Sequence, residues 1–177
     1  RDGQRVQSEG SSRPAVGREV LMSVVIKEGN VFDSDADIIC HQVNCRSVMG
    51  SGVAKEVRER YPEVYYAYLD RCYNAITNHN HTLLGTAQFV KVSDDRCIVN
   101  CFAQDNYGYD GRQYTDLAAL QHAFATVATK ARSKGLKVAM PYKIGCVRGG
   151  ADLNTIKKII DTAFQGVEIE LWKLEEK

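Results

Sequence analysis

The stretch from Ile38 to Pro62 constrains the fold most, because it reads as a strand, a loop of small residues and a helix. An apolar run ends at Ile39, and Gly50–Gly52 precedes a helical pattern that begins at Val53. Glycines at such a turn let the backbone approach a ligand closely, and the unpaired N–H groups of the first helical turn attract an anion such as phosphate. We therefore predict a phosphate-binding loop here, with a tight turn that binds no ligand as the alternative.

This loop, VMGSGVA, matches neither of the two common nucleotide fingerprints. A mononucleotide-binding P-loop would end in Gly-Lys-Ser/Thr, and the dinucleotide pattern would need three glycines at fixed spacing with an acidic residue about 20 positions on. The loop therefore predicts contact with a phosphate without identifying a nucleotide.

Composition and charge limit the class of protein. A chain of 177 residues with 44% hydrophobic and 25% charged residues is typical of one globular domain with a real core. A net charge of +1 gives no electrostatic reason to wrap nucleic acid, although a local basic patch stays open. No apolar run approaches the roughly 20 residues of a membrane span, so we expect no membrane partner.

The six cysteines, at positions 40, 45, 72, 97, 101 and 146, include no C-x-x-C pair. Cys40, Cys97 and Cys101 lie in apolar, strand-like runs. We therefore expect reduced thiols in a cytoplasmic protein, and neither a metal nor another cofactor. Metal binding by cysteines and by histidines such as His79 and His81 is the alternative.

The order of predicted elements indicates the fold. Residues 1–21 lack apolar periodicity and are expected to be a disordered leader, either vector-derived or upstream of a natural start at Met22, with the domain spanning 22–177. Strands are predicted at 23–27, 38–42, 85–92, 97–103, 136–141 and 167–174; helices are predicted at 52–60, from Pro62 onward, at 116–133 and at 154–164, with a polar loop at 74–81. Strands alternate with helices except in a hairpin at 85–103, so we predict a three-layer α/β/α domain with a mixed sheet.

Ligands of such sheets bind beyond the carboxyl ends of the strands. Two glycine loops, VMGSGVA and YKIGCVRGG, are predicted at that edge, and two such loops suit a diphosphate. The polar and aromatic segment QDNYGYDGRQY, residues 104–114, follows a buried strand, where loops often carry function. The tyrosines at 61, 65, 66, 68 and 73 are interpreted as helix packing, with a base-stacking surface as the alternative.

These segments together resemble a macrodomain, the ADP-ribose-binding fold, from about Ser23 to Leu174. The resemblance rests on Gly29–Phe32 after the first strand, on Asn44 before Met49–Ala54, and on the run from Met140 to Gly150. It implies that the partner is ADP-ribose or an ADP-ribosylated macromolecule, with nucleic acid a partner only if it is ADP-ribosylated. We expect a monomer.

The resemblance assigns Asn30 and Val31 to the adenine, Asn44 to the distal ribose and the two glycine loops to the diphosphate. Many macrodomains have Asp where this chain has Asn30, an amide that could still contact the adenine amino group. The residues expected to bind ADP-ribose are Gly29, Asn30, Val31, Asn44, Met49, Gly50, Ser51, Gly52, Val53, Ala54, Phe102, Gln104, Pro141, Ile144, Gly145, Cys146, Val147, Arg148 and Gly149.

Within the superfamily the chain is similar to the branch that contains terminal ADP-ribose protein glycohydrolase and the ADP-ribose 1''-phosphate phosphatases. The catalytic lysine and aspartate of the glycohydrolase fall on Gln104 and Gly149, which supply neither a nucleophile nor a carboxylate base. The phosphatase-like members share a histidine at the position of His41.

Catalysis is therefore assigned to His41, Asn44 and Asp105. His41 could act as a general acid or base, or could only hold the loop by hydrogen bonds. Asp105 could activate water, or could serve only to form the turn. The predicted function is binding of ADP-ribose and hydrolysis of a derivative at the distal ribose, either by de-ADP-ribosylation or by dephosphorylation of ADP-ribose 1''-phosphate. A non-catalytic ADP-ribose reader is the alternative.

Overall fold

The computed structural model describes residues 24–78 and 82–175. The predicted leader at residues 1–21 lies outside the described residues, as do His79 and His81.

Within the described residues, six strands and four helices follow one another. The strands are β1 (Val24–Glu28), β2 (Ile38–Asn44), β3 (Ala87–Ser93), β4 (Arg96–Gln104), β5 (Val138–Pro141) and β6 (Ile169–Lys173); the helices are α1 (Gly52–Arg60), α2 (Pro62–Thr77), α3 (Leu117–Lys134) and α4 (Leu153–Ala163). A short 3-10 turn at Val31–Asp33 follows β1.

The strands form one sheet in the order β1-β6-β5-β2-β4-β3. Five strands are parallel, and β3 pairs antiparallel with β4 as the hairpin that the sequence predicted. This arrangement confirms the three-layer α/β/α fold with a mixed sheet. Since parallel strands end at the same edge, the segments that follow β1, β2, β4, β5 and β6 meet there.

Helices cover both faces of the sheet. On one face Leu120 and Phe124 of α3 pack with Ile156 of α4 against strand residues such as Val99. On the other face Val57 of α1 and Val64 of α2 pack against residues such as Ile39 and Ile98. Both faces of β2 are therefore covered, and six of its seven residues are buried.

Helix ends follow from local capping. The Asp116 side chain accepts a hydrogen bond from the Ala119 N–H at the start of α3, and Gly135 ends that helix in the left-handed conformation. Asp152 caps α4 in the same way through the Thr155 N–H.

The predicted polar loop at 74–81 begins too early, because α2 continues through Thr77. The Asn78 N–H donates to the Asn74 carbonyl at 3.1 Å, and the Thr77 hydroxyl lies 3.2 Å from the Tyr73 carbonyl. These bonds extend the helix through Asn74–Thr77, where apolar residues do not recur at helical spacing.

The tyrosines of this region have different environments. Tyr68 is fully buried, and Tyr61 and Tyr65 are half-buried, as expected for packing residues. Tyr66 and Tyr73 are 67% and 65% exposed, so the packing interpretation is wrong for these two.

No helix in the part of the chain that the structure describes is both long enough and apolar enough to cross a membrane.

Candidate functional site

A cavity of about 720 Å³ lies beyond the carboxyl ends of the parallel strands. It runs across the sheet edge from the ends of β1 and β6 to the end of β4. Its lining residues are Gly29, Asn30, Val31, His41, Gln42, Val43, Asn44, Val48, Gly50, Ser51, Gly52, Val53, Ala54, Glu56, Gln104, Tyr107, Gly108, Tyr109, Pro141, Tyr142, Lys143, Ile144, Gly145, Val147, Arg148, Gly149, Trp172, Lys173, Leu174 and Glu175.

The first glycine turn forms one wall and leads into α1. Gly50–Ala54 lines the cavity, and Ser51, the N-cap of α1, makes no side-chain capping hydrogen bond. Gly52 has a φ of 59°, a conformation that favours glycine. The first backbone N–H groups of α1 therefore lack a capping partner and are available to an anion.

The second glycine turn, residues 143–150, also lines the cavity and packs tightly on Thr115. The Thr115 hydroxyl donates to the Gly145 carbonyl at 2.8 Å, and the Thr115 N–H donates to the Gly149 carbonyl at 3.0 Å. A Cβ atom on Gly149 would lie 2.0 Å from Thr115 Oγ1, so no larger residue fits without a shift of the backbone. Gln42 anchors the arrangement because its Nε2 donates to the same hydroxyl oxygen at 2.8 Å.

At the β1 and β6 end of the cavity, the Asn30 side chain is already engaged. Its Oδ1 accepts from the Phe32 N–H at 3.0 Å, and its Nδ2 donates to Glu56 Oε1 at 2.7 Å. Arg60 donates to the same Glu56 oxygen at 2.9 Å. Glu56 is therefore held at the cavity wall, where it is half-buried.

Asn44 lines the cavity, but its side chain is hydrogen-bonded mainly to the loop that follows β2. Its Oδ1 accepts from the Arg46 N–H, and its Nδ2 donates to the Val48 carbonyl. The buried Tyr68 hydroxyl lies 2.8 Å from both the Asn44 carbonyl oxygen and Asn44 Oδ1. Asn44 thus holds the loop that leads to the first glycine turn.

His41 lines the cavity and is only 1% exposed. Its Nε2 lies 2.5 Å from Asn100 Oδ1, whereas Nδ1 has no hydrogen-bond partner among the described residues. Burial lowers the pKa of His41 to about 4, and the bond to Asn100 opposes this shift only in part. The imidazole is therefore neutral near pH 7 and suited to accept a hydrogen bond rather than to act as a cationic acid.

Four predicted site residues do not line the cavity. The Asp105 side chain is 64% exposed and pairs with Arg46 at 3.1 Å. Met49 and Phe102 are buried in a cluster with Tyr68. Cys146, within the second glycine turn, packs against the hydrophobic core, and burial raises the pKa of its thiol. The site roles of these four residues stay predictions, and their positions lend them no support.

Several lining residues were not predicted individually. The aromatic side chains among them come from the segment 104–114, which the sequence marked as a functional loop, and from the ends of β5 and β6. Tyr109 is 66% exposed, and the Arg148 guanidinium carbon lies 4.4 Å from its ring centroid, so the two loops meet over the cavity. The lining residues missed in this way include Glu56, Tyr107, Tyr109, Tyr142, Lys143, Trp172 and Lys173.

Comparison of the whole structure with solved structures identifies the fold. The macrodomain of Mycobacterium tuberculosis DarG superposes with a TM-score of 0.70 at 23% identity, covering 85% of this chain and 97% of that one. The chain has the macrodomain fold. A macrodomain protein from Streptomyces coelicolor gives a TM-score of 0.71 at 20% identity over 88% of this chain and all of its own. Thermosipho africanus DarTG, solved in complex with ADP-ribose, gives 0.70 at 16% identity over 90% of this chain and 43% of its own.

Sequence comparison finds distant curated relatives of the macrodomain. DNA ADP-ribosyl glycohydrolases from Mycobacterium tuberculosis and Mycobacterium bovis are each 26% identical over 139 residues, or 77% of this chain. The chain spans 37% of the length of these relatives. No protein-family model matches the sequence.

Proposed function

We propose that this macrodomain binds ADP-ribose in the cavity and hydrolyses the bond between the distal ribose and a macromolecule. The observation that carries the proposal is the pair of glycine turns, which both line one cavity of about 720 Å³. The names of the relatives support it, since one solved structure is a complex with ADP-ribose and the curated relatives are DNA ADP-ribosyl glycohydrolases. Action in the cytoplasm as a monomer remains a prediction.

The strand order orients the ligand in this proposal. The base would lie at the β1 and β6 end, near Asn30 and Trp172, where a half-buried carboxylate and an indole offer polar and apolar contacts. The diphosphate would lie between the glycine turns, against the uncapped N–H groups of α1. The distal ribose would then reach the ends of β2 and β4, where His41 and Gln104 line the cavity.

Hydrolysis at the distal ribose requires a water molecule held against the anomeric carbon. Gln104 cannot form a covalent adduct as a lysine would, so direct attack by water fits this chain better. Fixing the diphosphate and both riboses contributes to the rate by lowering the entropic cost of bringing water to the reacting carbon. The same water could attack a 1''-phosphate, but the DNA named for the relatives favours a macromolecular leaving group.

A calorimetric titration with ADP-ribose, and with ADP and AMP as controls, tests binding. We expect micromolar affinity for ADP-ribose and much weaker binding of AMP, since about 4 kcal/mol separates micromolar from millimolar affinity. The variant Gly50→Glu has room for its Cβ, which would lie 3.5 Å from the nearest side chain, and adds a negative charge beside the diphosphate. It should weaken binding by about 1 to 4 kcal/mol through charge repulsion.

Gln121→Glu adds the same charge on the exposed surface of α3 and serves as the matched control. Equal affinities for the two variants, or no heat with ADP-ribose at all, would remove the cavity as the binding site.

Turnover separates the hydrolase from a non-catalytic reader. Release of ADP-ribose from modified DNA above the uncatalysed rate, lost in His41→Ala with binding retained, would establish an enzyme. Micromolar binding without product from DNA-linked, protein-linked or phosphate-linked ADP-ribose would establish the reader instead.

A further inference from the structure

Three buried polar side chains form one row across β2, β4 and β3. His41 pairs in register with Asn100, and Asn100 pairs in register with Gln88. Their exposed fractions are 1%, 0% and 8%. Polar side chains this deeply buried are retained when their hydrogen bonds form a connected network. The row reaches from the cavity to the backbone of α2, where Gln88 contacts Ala67.

The directions of the hydrogen bonds follow from the Ala67 carbonyl, which can only accept. Gln88 Nε2 must donate to this carbonyl at 2.9 Å, which leaves Gln88 Oε1 to accept from Asn100 Nδ2 at 3.1 Å. Asn100 Oδ1 then faces His41 Nε2 at 2.5 Å and must accept from it. The proton of the neutral imidazole therefore sits on Nε2. Because the chain of bonds starts at the Ala67 carbonyl, it also fixes which atom of each amide is oxygen and which is nitrogen.

This tautomer leaves His41 Nδ1 as a bare acceptor. The atom is buried and has no hydrogen-bond partner among the described residues, although His41 lines the cavity. An unpaired buried acceptor is unfavourable, so a donor that enters the cavity would be bound there. Burial disfavours a second proton on Nδ1, since it lowers the pKa of the imidazole.

We propose that Gln88 and Asn100 are positioning residues that hold His41 as the Nε2–H tautomer, so that Nδ1 accepts a hydrogen bond from an O–H donor in the cavity. The inference rests on the proposed function, in which the donor is either the attacking water or a hydroxyl of the distal ribose. Both donors present the same chemistry to Nδ1.

Imidazole ¹⁵N spectra of the full chain test the tautomer directly. His122→Gln, His79→Gln and His81→Gln assign the signals by elimination and leave His41 intact. We expect His41 to show one protonated nitrogen, Nε2, and one unprotonated nitrogen, Nδ1, in the ligand-free protein. A proton on Nδ1, or on both nitrogens at pH 7, would overturn the proposal.

Gln88→Met tests the positioning role, because it frees the Asn100 amide to rotate while both His41 and Asn100 remain. The expected result is a second His41 signal from the Nδ1–H tautomer and a turnover number lower by about tenfold, the effect of one lost hydrogen bond. The dissociation constant of ADP-ribose should change little if the donor is water and should rise if the donor is a ribose hydroxyl. Gln121→Met, the same substitution on the exposed surface of α3, should leave spectrum and turnover unchanged. A Gln88→Met spectrum identical to that of the parent would overturn the positioning role of Gln88.

Adding ADP-ribose distinguishes the two donors. A shift of the Nδ1 resonance on binding would identify a ribose hydroxyl, whereas a hydrogen-bonded Nδ1 already present in the free protein and unchanged by ligand would identify water. An Nδ1 with no hydrogen bond in either state would overturn the proposed contact. Failure of ADP-ribose to bind would defeat the proposed function, while the tautomer of the free protein would still decide the positioning role.

Discussion

The Glu56 carboxylate, rather than the Asn30 amide, offers a hydrogen-bond acceptor to the base of the proposed ligand. Both polar atoms of the Asn30 side chain have protein partners, so this amide is committed to shaping the 3-10 turn and to holding Glu56. Glu56 Oε1 is bound by Asn30 and Arg60, whereas Oε2 makes no hydrogen bond within the described part of the chain. A carboxylate oxygen is therefore available where the proposed ligand places its base.

Glu56→Gln should reduce discrimination between adenine and hypoxanthine. A carboxylate accepts from an exocyclic amino group and repels the oxygen that hypoxanthine carries instead, and a hydrogen bond to a charged group is worth about 1.5 to 3 kcal/mol. The dissociation constant of the hypoxanthine analogue divided by that of ADP-ribose should therefore fall by about tenfold. Glu59→Gln, on the exposed side of α1, is the control, and an unchanged ratio in Glu56→Gln would place the base elsewhere.

Tyr109 offers a second test at the residue scale. Its ring lies at the cavity mouth under the Arg148 guanidinium, and stacking of a nucleobase on an aromatic side chain is worth about 1 to 3 kcal/mol. Tyr109→Ala should therefore raise the KM for ADP-ribosylated DNA by about 5- to 150-fold, and by more than it raises the dissociation constant of free ADP-ribose. Tyr73→Ala removes an equally exposed tyrosine from α2, and equal effects of the two variants would contradict a contact with DNA.

At the scale of elements, the second glycine turn depends on its close approach to the segment that precedes α3. Gly149→Ala would place its Cβ 2.0 Å from Thr115 Oγ1 and 2.4 Å from the Gly145 carbonyl oxygen. Overpacking of this kind costs about 1 to 3 kcal/mol, so thermal unfolding should occur at a lower temperature and ADP-ribose affinity should fall. Gly50→Ala, whose Cβ would make an ordinary contact, should leave stability nearly unchanged. A stable Gly149→Ala variant with full affinity would show that the turn tolerates the shift.

The elements that sequence reasoning located well have strong local signals. Helix α1 spans Gly52–Arg60 as predicted, because a glycine turn precedes it and Pro62 begins the next helix. Strand ends were off by one to two residues because tertiary pairing sets them; β5, for example, begins at Val138 rather than at 136. The polar end of α2 gave no periodic signal and was assigned to a loop.

The backbone of the candidate cavity was more predictable from the sequence than its side chains. A glycine turn can be recognised from a few neighbouring residues, and 16 of the 19 expected ligand-binding residues line the cavity. The role of a side chain depends on partners far away in sequence, such as Asn100 for His41 and Tyr68 for Asn44. Asp105 illustrates the limit, because its position in the chain suggested the site while its carboxylate pairs with Arg46 outside the cavity.

At the scale of the whole molecule, the buried Glu170 carboxylate ties three segments together. Burial alone would raise its pKa, but bonds from Lys27, Ser34 and Trp172 outweigh that effect and lower the pKa of Glu170 to about 2. Lys27 donates from β1 at 2.8 Å, and Ser34 belongs to the segment that follows the 3-10 turn.

The depressed pKa predicts a pH dependence of stability. Glu170 is charged in both states above its unfolded pKa of about 4.5, so its contribution is complete there and is lost as pH falls toward 2. The loss should amount to roughly 3 kcal/mol of the free energy of unfolding, measured by urea titration at several pH values. Glu170→Gln should flatten this dependence, whereas Glu168→Gln, exposed just before β6, should retain it. Parallel curves for the parent and Glu170→Gln would assign the acid sensitivity to other groups.

The cavity is built from segments that begin at Gly29 and end at Glu175, so nearly the whole described chain must be in place before it exists. No local fragment can pre-form it, and opening of any of the five parallel strands disrupts it. Ligand binding and global folding are therefore thermodynamically linked, and a ligand at 100 times its dissociation constant should add about 2.7 kcal/mol to the stability of the entire domain. A rise in melting temperature on adding ADP-ribose would thus report on every strand at once.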